Sequence, residues 1–320
     1  MANGFYTLLI AQFLSAVADN ALLFAAIALL HQLQAPSWHE PLLREFFIIS
    51  YVLLAPFVGP FADALPKGKV MFLSNGIKFF GCVLALAGVP PLYAYAIVGI
   101  GAAAYSPAKY GILTEMLPTR DLIKANGWME GTTVIAIILG PVLGANISAS
   151  NPYFGVAVIS VLYVLAALFN YYIPKMPIDH DVPQRTLGFI LRDFWHAFKT
   201  LWKDTQGQVS LAVTTLFWGA GATLQFVVLK WADLHLGYDQ PAAAKLIAIL
   251  AVGIAAGSVI ASLYVKLESA VKVLPAGIYM GLLVISMIFV HDPVVAGALL
   301  FAIGVLSGYF LVPLNSLLQH

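Results

Sequence analysis

Hydrophobic positions run along this chain in long blocks and do not alternate with polar ones. Blocks of about 20 apolar residues, the length of helix that crosses a ~30 Å hydrocarbon layer, recur throughout the sequence. The pattern therefore predicts ten membrane-spanning helices joined by polar segments. Their predicted bounds are roughly 5–31, 44–63, 70–89, 92–113, 125–148, 153–173, 209–234, 242–265, 273–290 and 293–316.

Composition supports a polytopic membrane protein. Of the 320 residues, 61% are hydrophobic and 10% are charged, whereas a soluble domain is nearer half apolar and a quarter charged. The first span is not expected to be a cleaved signal peptide, because no basic leader precedes it and Asp19 lies at its centre. The single cysteine, Cys82, excludes an intrachain disulfide, and the net charge of +1 does not indicate nucleic-acid binding.

Basic residues predict the orientation, since segments rich in lysine and arginine stay in the cytoplasm. Eleven basic residues fall in the segments after the second, fourth, sixth and eighth spans. The opposite segments hold only Arg44 and Lys245. We therefore expect the N-terminus to be cytoplasmic.

A long polar segment, 174–208, divides the chain into two halves. It begins with three prolines and continues as an amphipathic helix, with apolar residues such as Leu187, Leu191 and Phe194 at helical spacing. We expect this helix to lie along the inner membrane surface as a linker, with lipid sensing as the alternative.

The two halves resemble each other at an offset of about 200 residues. The stretch "FLSAVADNA" matches "FWGAGATLQ", and "VMFLSNGI" matches "VKVLPAGI". Two glycine-rich spans also correspond, one reaching Pro107 and the other Pro313. A parallel repeat of six-helix units, with the binding cavity at their interface, is typical of major facilitator transporters.

The sequence thus predicts an all-α major facilitator fold made of two six-helix bundles. We place the N-terminal bundle at 1–173, the cytoplasmic linker at 174–208 and the C-terminal bundle at 209–320. The second half contains only four predicted helices, so the chain is expected to be a fragment without helices 11 and 12. A natural ten-helix protein is the alternative.

The segment "GPFADALPKGKV" resembles the superfamily's motif between helices 2 and 3. Gly59 precedes Asp63 by four residues, and a cluster containing Lys67 and Lys69 follows. An alanine stands after the aspartate where a basic residue is typical. The resemblance implies gating or structural roles for these four residues.

Polar residues inside the first span predict a functional site, because ionisable groups in a membrane usually line a cavity. Gln12, Ser15 and Asp19 are spaced i, i+3 and i+7 on one helix face, and Asn20 flanks them. This pattern suits a substrate ammonium, a sodium ion or a coupling proton. The alternative is a charge pair between Asp19 and a basic residue of a nearby helix.

Other spans carry similar polar positions. Lys78 could contact an anionic phosphate or neutralise a carboxylate, and the sequence leaves both open. Glu130 lies near the predicted cytoplasmic end of its span, so gating or snorkelling is expected there before ligand binding. Gln225 is predicted to be about as deep as Asp19 and to face the cavity, whereas Trp218 is either a cavity residue or bundle packing.

Several blocks resemble the bacterial lysophospholipid transporter family: "AQFLSAVADNALLFA", "APFVGPFAD", "GAAAYSPAKYGIL", "LFWGAGATLQF" and "VPLNSLLQ". The resemblance implies an inner-membrane transporter that brings lysophosphatidylethanolamine and lysophosphatidylglycerol inward. Reacylation by a cytoplasmic acyltransferase and acyl-carrier-protein synthetase would follow. The resemblance also marks Asp19 and Asn20 as the helix 1 site and Lys109 as part of the helix 4 block. Gln225 departs from the family, which often has an arginine there.

Two other functions are compared with this one. Another major facilitator, such as a drug exporter, would show similar polar stripes. A lipid-modifying enzyme is not expected, because the sequence has no H-x-x-x-x-D, G-x-S-x-G or H-E-x-x-H motif. We therefore expect no cofactor or metal, apart from a coupling ion that is either sodium or a proton.

Overall fold

The computed structural model describes residues 4–174, 186–238 and 240–319. Regular structure in these ranges is entirely helical. It consists of eleven α-helices and three short 3-10 turns. The helices are α1 (Phe5–Gln32), α2 (His39–Asp63), α3 (Lys67–Leu86), α4 (Pro91–Met116), α5 (Leu122–Ser148), α6 (Pro152–Tyr171), α7 (Leu187–Lys203), α8 (Thr205–Leu236), α9 (Gln240–Tyr264), α10 (Leu274–Ser286) and α11 (Pro293–Gln319).

The ten predicted spans correspond to α1–α6 and α8–α11, and the predicted amphipathic helix corresponds to α7. Within the described residues, eight helical stretches are long and apolar enough to cross a membrane. Helix α4 has the length but is less apolar, because it contains tyrosine, glycine, a lysine and a glutamate. Helix α10 is shorter than predicted, and the 3-10 turns Leu267–Val273 and Met287–Phe289 flank it.

The chain forms two compact units. Unit 1 comprises the residues up to Leu117 together with Ala136–Ala197, and unit 2 comprises Pro118–Ile135 together with Phe198–His320. Helix α5 therefore contributes its first half to unit 2 and its second half to unit 1. Each unit has its own packing.

Unit 1 is held together by contacts of α1 with α6, of α2 with α4, and of α3 with both α4 and α6. Glycines bring the backbones close. A Cβ atom on Gly101 of α4 would lie 2.6 Å from the Ser74 carbonyl oxygen, and one on Gly144 of α5 would lie 2.2 Å from that of Ala21. Small residues permit this close approach, which supplies much of the packing energy between helices in a membrane.

Unit 2 centres on the contact between α9 and α11. A Cβ on Gly257 would lie 2.0 Å from the Val305 carbonyl oxygen, and one on Gly308 would lie 2.1 Å from that of Ile254. Helix α10 also packs on α11. The pairs α2–α4 and α3–α4 of unit 1 thus recur as α9–α11 and α10–α11, which confirms the parallel repeat.

Candidate functional site: a charged cluster inside unit 1

An ion pair inside unit 1 joins Asp19 of α1 to Lys78 of α3. The Lys78 ammonium nitrogen lies 2.8 Å from Asp19 Oδ2. The Tyr163 hydroxyl of α6 donates a hydrogen bond of 2.8 Å to the other carboxylate oxygen, Oδ1. Three helices therefore converge on one carboxylate. The charge pair that the sequence left as an alternative is present, with Lys78 as the partner.

The Lys78 side chain is buried among the described residues of unit 1. It is 1% exposed, and its ammonium donates to Ser15 Oγ at 2.9 Å as well as to Asp19. The same ammonium lies 4.8 Å from the ring centroid of Tyr105 and 5.6 Å from that of Tyr163. Aromatic faces attract a cation at such distances. These contacts compensate the lysine for the loss of water.

Asp19 and Lys78 differ in accessibility. The Asp19 side chain is 23% exposed, whereas that of Lys78 is 1% exposed. The pair is neutral as a whole, which lowers the free-energy penalty of placing both charges in an apolar surrounding. The carboxylate is therefore the accessible member of the pair, and the ammonium is covered.

Ser15 and Asn75 extend the site into a hydrogen-bonded chain. Ser15 Oγ accepts from Lys78 and donates to Asn75 Oδ1 at 2.8 Å. Both residues are buried. Asn75 Nδ2 and the neighbouring Ser74 Oγ have no hydrogen-bond partner among the described residues. Buried polar groups are usually paired, so these two are candidate ligand donors.

Sequence reasoning missed Tyr105 and Tyr163. A tyrosine in an apolar span is usually read as packing. Tyr105 lies in the helix 4 block "GAAAYSPAKYGIL", but only Lys109 was singled out there, and Tyr163 lies in none of the quoted blocks. Both are nonetheless buried, at 5% and 0% exposed. The available signal was their position inside spans, because membrane tyrosines are enriched at the interfaces.

The other predicted residues of the N-terminal half lie around this cluster. Gln12 is buried on α1, one turn before Ser15. Asn20 donates to the Ala16 carbonyl of its own helix at 2.8 Å and lies against Gly140 of α5. Lys109 lies one turn beyond Tyr105 in α4, with its ammonium 4.8 Å from the Tyr110 ring centroid.

The motif between α2 and α3 forms a second charged group in unit 1. Lys67 bonds to Asp63, donates to the Ala62 carbonyl oxygen at 3.0 Å and lies 3.6 Å from Glu115 of α4. Lys69 is exposed in the first turn of α3. A Cβ on Gly59 would meet no atom within 4 Å, so close packing does not explain this glycine.

Glu130 belongs to unit 2 and does not snorkel towards water. It is 3% exposed, and the Asn315 amide donates to its Oε1 at 3.4 Å. Snorkelling was therefore the wrong interpretation, because a tertiary partner from α11 satisfies the carboxylate inside the unit. The side chains of Trp218 and Gln225 lie outside the described residues, although both positions are in α8.

Comparison with known proteins agrees with this architecture. The family model of the Major Facilitator Superfamily matches residues 8–320. Lysophospholipid transporter LplT of Serratia proteamaculans is 43% identical over 321 residues, which cover 100% of this chain and 81% of that protein. The chain belongs to the lysophospholipid transporter family of the Major Facilitator Superfamily.

Another lysophospholipid transporter, LplT of Escherichia coli O157:H7, is 43% identical over 320 residues, with 100% of this chain and 81% of that protein covered. Solved structures of the superfamily share the fold. Human organic anion transporter MFSD10 matches with a TM-score of 0.76 at 12% identity, covering 98% of this chain and 84% of that one. FucP matches with a TM-score of 0.75 at 15% identity, covering 98% and 88%.

Proposed function

We propose that this protein transports lysophospholipids across a bacterial inner membrane by alternating access. The observation that carries the proposal is the 43% identity, over the whole chain, to relatives named lysophospholipid transporters. The Asp19–Lys78 cluster supports it, because a charged group enclosed by three helices is expensive in a membrane and usually serves the transported solute.

The order of the charges suggests how a headgroup binds. The partly exposed Asp19 carboxylate would accept the ammonium of lysophosphatidylethanolamine, while the covered Lys78 holds the carboxylate in place. The phosphate would then lie near the unpartnered Asn75 amide. Lysophosphatidylglycerol has no ammonium, so its binding would require a cation at Asp19 or a shift of Lys78.

Inward movement, a cytoplasmic N-terminus and delivery to a cytoplasmic acyltransferase and acyl-carrier-protein synthetase complete the proposal. Acyl transfer would be left to that partner, so the transporter itself would carry out no covalent chemistry. The coupling ion would be sodium or a proton, and Asp19 is the acidic group we propose for it.

Uptake of labelled lysophosphatidylethanolamine by spheroplasts tests the proposal. Cells that express the protein should accumulate the label, and Asp19→Asn should reduce uptake by at least tenfold. Asp233→Asn is the matched control, since Asp233 pairs with Lys230 at 2.7 Å but is exposed at the surface. Uptake by the control should equal that of the wild type.

Repeating the assay with and without sodium at fixed pH, and then across a proton gradient, identifies the coupling ion. Efflux of cationic drugs without any lysophospholipid uptake would instead show a drug exporter. Normal uptake by Asp19→Asn would remove Asp19 from the site.

A further inference from the structure

Helix α7 carries large apolar side chains that are exposed along one face. They recur at spacings of three, four and seven residues, which keeps them on one side of the helix. The exposed fraction runs from 37% for Leu201 to 54% for Trp195 and Trp202. Exposed apolar patches of this kind mark contact with another protein or with a membrane. The apolar face consists of Leu191, Phe194, Trp195, Phe198, Leu201 and Trp202.

The composition of α7 excludes a membrane-spanning role. The helix has 17 residues, and four of them are charged: Arg192, Asp193, Lys199 and Lys203. It is not among the eight helical stretches of the described residues that are long and apolar enough to cross a membrane. A helix with one apolar face and one charged face lies instead in the plane of a membrane surface.

The positive charges of α7 are gathered at one border of the apolar face. Three exposed basic side chains lie within about 40° of one another around the helix, because they are spaced by seven and four residues. Asp193, the acidic residue of α7, lies outside this group. The basic group borders Trp195 and Trp202, and tryptophan prefers the headgroup level of a membrane. This basic edge consists of Arg192, Lys199 and Lys203.

The chemistry of the two surfaces selects the partner. The rings of Phe198 and Trp202 stack with centroids 6.0 Å apart, so part of the apolar face is already assembled. Basic side chains next to such a face attract the phosphates of anionic lipids. A lipid surface therefore complements both the apolar face and the basic edge.

We propose that α7 binds the anionic lipid surface of the membrane in which the protein is embedded. The apolar face enters the boundary between headgroups and acyl chains, and the basic edge pairs with lipid phosphates. The surface is separate from the Asp19–Lys78 cluster and does not depend on which solute is transported.

Cysteine labelling of the full chain in lipid nanodiscs tests this contact. Phe194 is on the apolar face, and His196 is exposed about 200° around the helix from it. Cys82 is 1% exposed, so the wild type is the blank for a charged maleimide that cannot enter a bilayer. In discs containing phosphatidylglycerol, Phe194→Cys should react about tenfold more slowly than His196→Cys, because its thiol is covered by lipid. Equal rates would overturn the membrane contact.

Neutralising part of the basic edge tests the selection of anionic lipid. Adding Lys199→Gln and Lys203→Gln to Phe194→Cys should raise its labelling rate in these discs by about fivefold or more, since each lysine strengthens contact with an anionic surface. In phosphatidylcholine discs the two substitutions should have no effect. Lys266→Gln with Lys272→Gln is the matched control, because these lysines are exposed but lie outside α7. A slow rate that neither phosphatidylglycerol nor the lysines change would overturn the anionic preference.

Bimane attached at the same two positions distinguishes a lipid cover from a protein cover. The label at position 194 should be quenched by phosphatidylglycerol brominated on its acyl chains, and the label at position 196 by iodide in water. A label at position 194 that neither quencher reaches would show that the apolar face packs against protein, which overturns lipid as its occupant. Unreactive Cys82 shows that a variant is folded, and Leu201→Cys on the same face replaces Phe194→Cys if that variant is not.

Discussion

Removing both partners of the Asp19–Lys78 pair should destabilise the protein by clearly less than the sum of the two single losses. Asp19→Asn leaves an ammonium that is 1% exposed with two neutral acceptors, the Ser15 hydroxyl and the new amide oxygen, in place of the carboxylate charge. We expect the free energy of unfolding to fall by about 3 kcal/mol, the lower end of the range for breaking a buried ion pair. Lys78→Met should cost about 2 kcal/mol, because Asp19 stays 23% exposed and keeps the Tyr163 hydroxyl.

The double variant is expected to lose no more than about 2 kcal/mol, because a buried ion pair replaced by uncharged groups of similar size is often nearly neutral. The double-mutant cycle then gives a coupling of about 3 kcal/mol. For Asp19→Asn alone, the midpoint of thermal unfolding should fall by roughly 5–10 °C.

Labelling of Cys82 measures the thermal unfolding of these variants. This residue is the single cysteine of the chain, it is 1% exposed, and it follows Lys78 by one turn of α3. A thiol-reactive fluorophore will therefore report the opening of unit 1 as the detergent-solubilised protein is heated. Each variant is measured in this way and in the spheroplast uptake assay.

The second substitution should affect stability and uptake differently. The double variant should regain stability relative to Asp19→Asn but not uptake, because the carboxylate that receives the headgroup is still absent. Additive losses of stability would contradict an energetic coupling between the two side chains. Uptake restored in the double variant would show that Asp19 serves only as the counter-ion of Lys78.

Three further changes test other parts of the structure. Tyr163→Phe removes the hydrogen bond to Asp19 and should cost about 1 kcal/mol while reducing uptake severalfold; unchanged uptake would exclude a positioning role. Gly257→Ala should destabilise unit 2 by about 2 kcal/mol through overpacking, since its Cβ would lie 2.0 Å from a carbonyl oxygen. A circular-dichroism melt measures this loss, and Gly281→Ala, whose Cβ would meet nothing within 4 Å, is the control that should show none. Lys67→Gln leaves Asp63 and Glu115 without their shared cation, so uptake should fall; uptake equal to the wild type would contradict a gating role.

The helices could be predicted because a membrane imposes a length and an apolar composition on each span. The repeat could also be recognised, since short segments such as "FLSAVADNA" and "FWGAGATLQ" resemble each other at an offset of about 200 residues. Chain direction and helix periodicity were sufficient to place Gln12, Ser15 and Asp19 on one face. They could not select the partner of Asp19, because Lys78 is 59 residues away and only the contacts of α3 with α4 and α6 bring it close.

Tyr163 was beyond sequence reasoning for a similar reason. Its hydroxyl matters because α1 packs against α6, a contact between residues separated by 144 positions. Glu130 shows the opposite error: distance from the predicted membrane surface suggested snorkelling, whereas Asn315 of α11 satisfies the carboxylate internally. In both cases the decisive information was which helices are neighbours.

The unequal exposure of Asp19 and Lys78 has a consequence for how such sites diverge. When one charge of an ion pair covers the other, an approaching solute meets only the exposed charge, although the net charge of the pair is zero. Exchanging the two residues between α1 and α3 would keep the neutral total and reverse the sign presented. A related transporter could therefore change its substrate preference from amines to acids through the exchange of two side chains, without a change in its helix packing.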